Sequence, residues 1–269
     1  MRKKKIQNSI KKYFKEISEI SGYLWERGWA ERNAGNLSVN LTGIVDIDVT
    51  KLEKLPDNPF SKTYSNLKNN LILISTAGSR MRYMSKEPHK YILGLYISGT
   101  GKHYKYFGLN NDGKISENNN DKKPTSEILT HIAYHNLLKK SGSKFKAILH
   151  SHPTEIIAIT HIKEYTNAKK LNEVFLKMHP EVKLFIPEGA GLVPFMESSS
   201  EEIATATLKL ANKHRIVIWE KHGCFAVEET LTEAFELIDI LTKSAKIFFL
   251  VNRAVSPLSL RRGAGERRK

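Results

Sequence analysis

Arg215-Ile216-Val217-Ile218-Trp219-Glu220-Lys221-His222-Gly223-Cys224-Phe225-Ala226-Val227 reads as strand, turn, strand. β-branched and aromatic residues fill both flanks, and the Lys-His-Gly turn leaves no room for a crossover helix. Strands joined this closely pair antiparallel. Similar runs recur at residues 37–41, 44–49, 71–75, 91–97, 104–109, 146–149 and 182–186, most of them bounded by Gly, Asn, Asp or Pro. Several are close enough for hairpins, and none of the chain keeps a regular βαβ rhythm.

Helical signals lie between and around these runs. Ile6, Ile10, Tyr13, Phe14, Ile17, Ile20 and Leu24 predict a long amphipathic N-terminal helix that stops by residues 31–36, with Gly28 as an earlier stop. Pro124-Thr125-Ser126-Glu127 opens a helix to about residue 140. Another follows from Thr154. Ser199-x-x-Glu202 and Thr230-x-x-Glu233 are capping-box patterns, the second opening a helix to about residue 253. The polar stretch 110–121 is expected to be an exposed loop. The expected architecture is α/β: one domain over residues 1–269, with a central, largely antiparallel sheet flanked by helices. Its basic ends, about 1–5 and 256–269, are expected to be disordered.

Composition narrows the function classes. The 269 residues are 40% hydrophobic and 26% charged, which suits a globular chain with a buried core. A single cysteine, Cys224, excludes an internal disulfide framework and fits a reducing compartment. No apolar run approaches the roughly 20 residues of a membrane span. No apolar core follows the basic start, as a secretory signal requires. The expected location is the cytoplasm. The net charge of +15 is densest at the two ends, and neither end interleaves aromatics with its basic residues. A nucleic-acid partner is therefore not expected.

His150 and His152 close the strand at 146–149. Side chains alternate along a strand with a period of two, so both imidazoles can face one side, about 7 Å apart. That suits two ligands of one metal ion, and a catalytic zinc needs a third. His222, in its turn between two strands, is the best candidate. His131 and His135 are four apart on a predicted helix, but Ile132 follows where the zinc-protease pattern has glutamate, so they read as structural. His214 reads as a helix-end cation, and His89, His103, His161 and His179 have no evident partner. Glu127 stands in the first turn of its helix, as an acid/base group or as an acidic residue favoured there by the dipole. The same turn, with Thr125 and Ser126, is an anion site in outline. The loops Asn33-Ala34-Gly35-Asn36 and Thr76-Ala77-Gly78-Ser79 are phosphate cradles or ordinary turns, and neither is a P-loop.

Taken in order, Glu31-Arg32-Asn33-x-Gly35-Asn36-Leu37-Ser38, Pro124-Thr125-Ser126-Glu127, His150-x-His152 and Lys221-His222-Gly223 resemble the class II aldolase/adducin family over about residues 10–251. The resemblance implies one Zn2+ per subunit on His150, His152 and His222, with Glu127 as catalytic acid/base. It implies a phosphorylated ketose as substrate, cleaved by retro-aldol chemistry. Asn33, Asn36, Gly78, Thr125 and Ser126 would hold substrate and phosphate. Glu181, just before the strand at 182–186, would reach as a second catalytic carboxylate into a neighbouring subunit of a homotetramer with interfacial sites. Sister activities of the family, a related aldolase or a pentulose-phosphate 4-epimerase, share this chemistry. Adducin-like members are non-catalytic and lack the zinc histidines. One departure is visible: Thr76-Ala77-Gly78 stands where the family usually has Gly-Ser/Thr-Gly, so Thr76 or Ser79 would have to supply the missing hydroxyl.

Overall fold

The computed structural model describes residues 2–45, 48–116 and 121–254. Among them, ten strands form one sheet. In chain order they are β1 (Asn36–Asn40), β2 (Asn58–Pro59), β3 (Leu71–Ser75), β4 (Ile92–Ile97), β5 (His103–Leu109), β6 (Ile115–Ser116), β7 (Ala147–Ser151), β8 (Gly191–Val193), β9 (Ile216–Trp219) and β10 (Gly223–Glu228). The helices are α1 (Arg2–Glu26), α2 (Met81–Met84), α3 (Ile128–Lys140), α4 (Thr154–Ile159), α5 (Ala168–Met178), α6 (Pro180–Phe185), α7 (Glu201–Ala211) and α8 (Leu231–Ala254). Across the sheet the order is β2-β5-β4-β3-β1-β7-β10-β9-β8, with β6 on β5. Every pairing is antiparallel except β8 with β9. The sheet is therefore the largely antiparallel, helix-flanked one that the hairpin at 215–227 implied.

Both faces of the central strands are buried, and their side chains divide by the two-residue period. Leu37 and Val39, Leu71 and Leu73, Ala147 and Leu149, and Cys224 and Ala226 join the large core that includes residues of α1 and α8. Ile148, Val217, Trp219, Phe225 and Val227 face the other way, into a cluster with Tyr134 and Leu138 of α3 and Ile203 of α7. Ile72 and Ile74 meet Ile132 and Ala133 of α3 in a third cluster. Each fully buried Leu, Ile or Phe in these clusters contributes roughly 1.5–3 kcal/mol. The polar members of the α3-facing row, Asn36, Ser38, Asn40 and His150, are as buried as their apolar neighbours. Among the described residues no helix is long and apolar enough to cross a membrane.

The structure departs from the sequence expectations in five places, the first being β6, Ile115–Ser116, which pairs with β5 inside the stretch 110–121 expected to be a loop. Residues 182–185 are helical, the end of α6 with Ile186 as its C-cap, because Pro180 opens a helix and Val182 and Ile186, four apart, are the buried pair. Around residues 44–49 there is no strand among the described positions. Ile44 and Val45 both donate back to Leu41 O, and a 3-10 turn starts at Val49; Asp46 and Ile47 lie outside the described residues. The cap of α7 is Ser200, whose hydroxyl accepts from Ile203 N, since Ser199 sits at φ +63°, outside the extended geometry a cap needs. Residues 2–5 belong to α1; residues 256–269 lie outside the described residues. The Thr230–Glu233 box forms as read, with each backbone N–H meeting the other's side chain at 3.0 and 3.1 Å.

Candidate metal centre

Three adjacent strands carry the site. Asn36 of β1 pairs with His150 of β7, and His150 pairs with Phe225 of β10, so these residues form one row across the sheet. His150 follows Ile148 on the face toward α3. His152 lies just beyond β7, where its N–H bonds Trp29 O at 2.9 Å. His222 arrives on the turn between β9 and β10, closed by its own N–H on Trp219 O at 3.1 Å. That turn runs against the end of β7. A Cβ at Gly223 would lie 2.3 Å from Ser151 O and 3.0 Å from His152 Cδ2, so only glycine fits there.

The three imidazoles converge. Ring centroids are 5.0 Å apart for His150–His152, 5.1 Å for His150–His222 and 4.9 Å for His152–His222. One nitrogen from each lies within 4.8 Å of the others. His150 Nδ1 donates to Cys224 O at 2.9 Å, and His152 Nδ1 to Glu31 Oε1 at 3.0 Å. With those protons on Nδ1, each neutral ring presents a bare Nε2, and the two face each other at 3.1 Å. Two lone pairs this close repel unless a cation lies between them. The donors fit a zinc ion, for which nitrogen ligands sit at about 2.0–2.1 Å and three histidines leave one position open. Burial, then the neighbouring imidazoles, holds His150 well below the usual histidine range. His222 is lowered to about 4 by burial and by His152. Both rings therefore stay neutral, as ligands must. Phe225 stacks on His150 at 4.7 Å, and Trp219 contacts both His150 and His222 while its Nε1 donates to Thr207 at 2.8 Å. These contacts fix the ring planes.

Glu127 lies beside this cluster, its Oε2 3.7 Å from His150 Nε2. It stands at the N-cap position of α3 without bonding the helix through its side chain, which leaves the carboxylate for the site. Burial pushes its pKa up to about 7, against the lowering effect of the Asn36 amide that donates to Oε2 at 2.8 Å. A carboxyl group poised near neutrality can both take and give a proton.

A cavity of about 160 Å³ opens beside Glu127 and the histidines. Asn33, Asn36, Gly78, Thr125 and Ser126 all line it, as do Thr76 and Ser79. The bridge between Thr76 and Pro124, with Ala77 N on Lys123 O at 2.8 Å, lays the 76–79 turn alongside the start of α3. Gly35, at φ +79°, lets the 33–36 loop pass so close to β7 that a Cβ would lie 3.0 Å from His150 O. Glu181 is not brought to this cavity; it lies on α6 and pairs with His179 at 2.9 Å. Three contributors escaped the sequence reading. Glu31, read only as part of a loop motif, orients His152. Ser198 and Ser199 line the mouth, and the Ser199 hydroxyl meets Ser126 Oγ at 3.1 Å. The local sequence marks Ser199 only as a helix-cap candidate and Ser198 not at all.

Residues 15–249 match the family model described as the class II aldolase and adducin N-terminal domain. A rhamnulose-1-phosphate aldolase from Bacteroides thetaiotaomicron is 34% identical over 241 residues, 89% of this chain and 86% of that protein. One from Mannheimia succiniciproducens is 32% identical, covering 91% of this chain and 89% of that protein. A sugar-phosphate aldolase structure from Thermotoga maritima superposes with a TM-score of 0.75 at 30% identity, over 92% of this chain and 98% of that one.

Proposed function

The chain belongs to the class II aldolase and adducin family, and from that premise we propose that it cleaves L-rhamnulose 1-phosphate to dihydroxyacetone phosphate and L-lactaldehyde, with one zinc ion per subunit. The observation that carries this reading is the convergence of His150, His152 and His222 with the Glu127 carboxylate on one cavity. An adducin-like binding module has no use for such a set. His150, His152 and His222 would hold the ion, the first two through the Nε2 atoms left bare by their Nδ1 partners. Bound there, zinc supplies a Lewis acid for the substrate's ketone.

The chain's own groups do the rest. Cleavage passes the substrate's hydroxyl proton to the Glu127 carboxylate, breaks the adjacent C–C bond to release the aldehyde, and leaves the electron pair drawn toward the carbonyl. Glu127 then delivers that proton to the carbon so freed, and removes one there in the synthetic direction. Ser126, Thr125, Asn33, Asn36 and the amides about Gly78 take the phosphate, so that remote binding energy positions the sugar. Thr76 and Ser79 are the hydroxyls available in place of the one missing at Ala77. Glu181 of a neighbouring copy completes the site in a homotetramer. The reaction belongs to the cytoplasm.

The test is aldehyde release from L-rhamnulose 1-phosphate, with L-fuculose 1-phosphate and a pentulose phosphate alongside. We expect cleavage of the rhamnulose ester, abolished by a chelator and restored by zinc. Full activity in excess chelator refutes the metal. Faster turnover of another ester refutes the substrate.

A further inference from the structure

Two rows of polar residues run in step behind Glu127. On α3, Glu127, His131 and His135 follow at four-residue intervals. On β1, Asn36 and Ser38 follow at two. Four helical residues rise about 6 Å and two strand residues about 6.8 Å, so the rows stay matched. Asn36 Nδ2 is 2.8 Å from Glu127 Oε2, and Asn36 Oδ1 is 2.6 Å from His131 Nε2. Ser38 Oγ is 2.7 Å from His131 Nδ1 and 2.8 Å from His135 Nε2. All five residues are at least 92% buried.

Only one direction of donation satisfies every contact. An ionised carboxylate can only accept, so Asn36 must offer it the NH2 group. Its carbonyl then faces His131, whose Nε2 must carry the proton. In the neutral ring Nδ1 is bare, and the Ser38 hydroxyl donates to it. That hydroxyl has no second proton, so His135 Nε2–H donates to Ser38 Oγ. Burial lowers both histidines to about 3, which keeps them neutral as the chain of donations requires.

We propose that His131 and Ser38 are positioning residues: their one-way hydrogen-bond relay locks the Asn36 amide with its NH2 toward Glu127 and so aims that carboxylate into the cavity. A flipped Asn36 would set its carbonyl against the carboxylate and its NH2 against a ring N–H, breaking two contacts at once. The inference rests on Glu127 being the acid/base of the proposed reaction.

Two measurements test it. In 15N-histidine NMR of the zinc-loaded protein, His131 is expected as the neutral Nε2–H tautomer; an Nδ1–H or charged ring overturns the relay. In kinetics, His131→Leu is expected to lower kcat 10- to 100-fold, the usual range for outer partners of a site, with KM and zinc content within about threefold. His131→Gln, whose side-chain NH2 can replace Nε2–H, is expected to recover kcat to within about threefold of the unaltered enzyme. A His131→Leu variant with full kcat, or a His131→Gln variant as impaired as His131→Leu, overturns the proposal. A purely structural histidine would change the unfolding temperature in both variants alike. The tautomer needs no substrate, so a chain that shows Nε2–H at His131 but cleaves no phosphoketose fails the activity reading and not the relay.

Discussion

Replacing Gly223 by alanine should strike all three histidines without touching any of them. The added Cβ would sit 2.3 Å from Ser151 O, where carbon and carbonyl oxygen ordinarily stay about 3.3 Å apart. Something must therefore move by roughly 1 Å. The obstacle is backbone, and that backbone joins His150 to His152. The second obstacle, His152 Cδ2 at 3.0 Å, belongs to a ligand ring. The residue that would carry the methyl adjoins His222. Metal–ligand distances tolerate about 0.2 Å, so a 1 Å displacement shared among these elements leaves no intact three-histidine set. Overpacking of this kind costs about 1–3 kcal/mol of stability, which a core this size survives. The expected result for Gly223→Ala is a folded protein whose zinc affinity falls at least 100-fold in competition with a chromogenic chelator. Aldolase activity should fall in parallel and recover in part at high zinc. A folded variant that binds zinc within twofold of the unaltered chain would refute the reasoning, because the turn would then not be what sets the ligand geometry.

Glu127→Gln should keep its zinc and its KM while kcat falls roughly 10²- to 10⁴-fold, the range lost with a general acid/base; full activity by coupled assay would remove Glu127 from that role. Ser126→Ala should raise KM for the phosphorylated ketose about tenfold or more, the worth of a hydrogen bond to a charged group, with zinc content unchanged; an unchanged KM would place the phosphate elsewhere. Stability should fall on acidification in the chelated protein. His131 and His135, with folded pKa values of about 3 against an unfolded value of about 6.5, favour the unfolded chain increasingly as pH drops below 6.5, together by roughly 4 kcal/mol between pH 7 and 5. Glu127, raised to about 7, is protonated earlier when folded and returns roughly 2 kcal/mol over the same interval. With the metal removed, His222, lowered to about 4, and His150, lowered by burial, add to the loss, so urea midpoints at pH 7 and 5 should show a net loss of at least about 2 kcal/mol, and a rise in stability at pH 5 would contradict the buried neutral histidines.

What the sequence makes legible here follows from how local the signal is. The hairpin at 215–227 and the 230–233 box are each specified by neighbours in the chain, and each forms where it was read, whereas α3 starts only at Ile128, with Glu127 as its N-cap and not in its first turn. The segment at 182–186 reads as strand because its four apolar residues, Val182, Leu184, Phe185 and Ile186, look alike as strand or helix. Pro180 and the burial of Val182 and Ile186 decide it, and burial is a tertiary fact. His150 and His152 could be paired from the period of a strand. His222 could be added only as a candidate, since nothing local says that the β9–β10 turn lies against the end of β7. The i, i+4 spacing of His131 and His135 serves their contacts with Asn36 and Ser38. It matches the two-residue spacing of Asn36 and Ser38 across the layer, a coincidence of two periods that no single segment displays.

That matching explains how the fold tolerates so many polar groups in its interior. A buried amide, hydroxyl or imidazole without a partner costs about 1–3 kcal/mol, so an unsatisfied row on the inner face of β1 would exhaust the margin of an ordinary domain. Here Asn36 and Ser38 are satisfied by the facing row on α3 and Asn40 by Asn70 and Thr42, and the last link of the α3 row is the Glu127 carboxylate. The same row continues across the sheet as Asn36, His150 and Phe225, so His150 is fixed to the pleated surface, with His152 just past the end of β7, His222 on the β9–β10 turn and Glu127 at the N-cap of α3 brought up to it. The residues proposed for phosphate follow the opposite rule. They lie on the turns at 33–36 and 76–79 and at Thr125 and Ser126 before α3, where they line the cavity and need only approach a ligand that brings its own charge. The proposed reaction geometry thus rests on the strand and helix ends that carry His150 and Glu127, and the proposed phosphate contacts on the loops beside them.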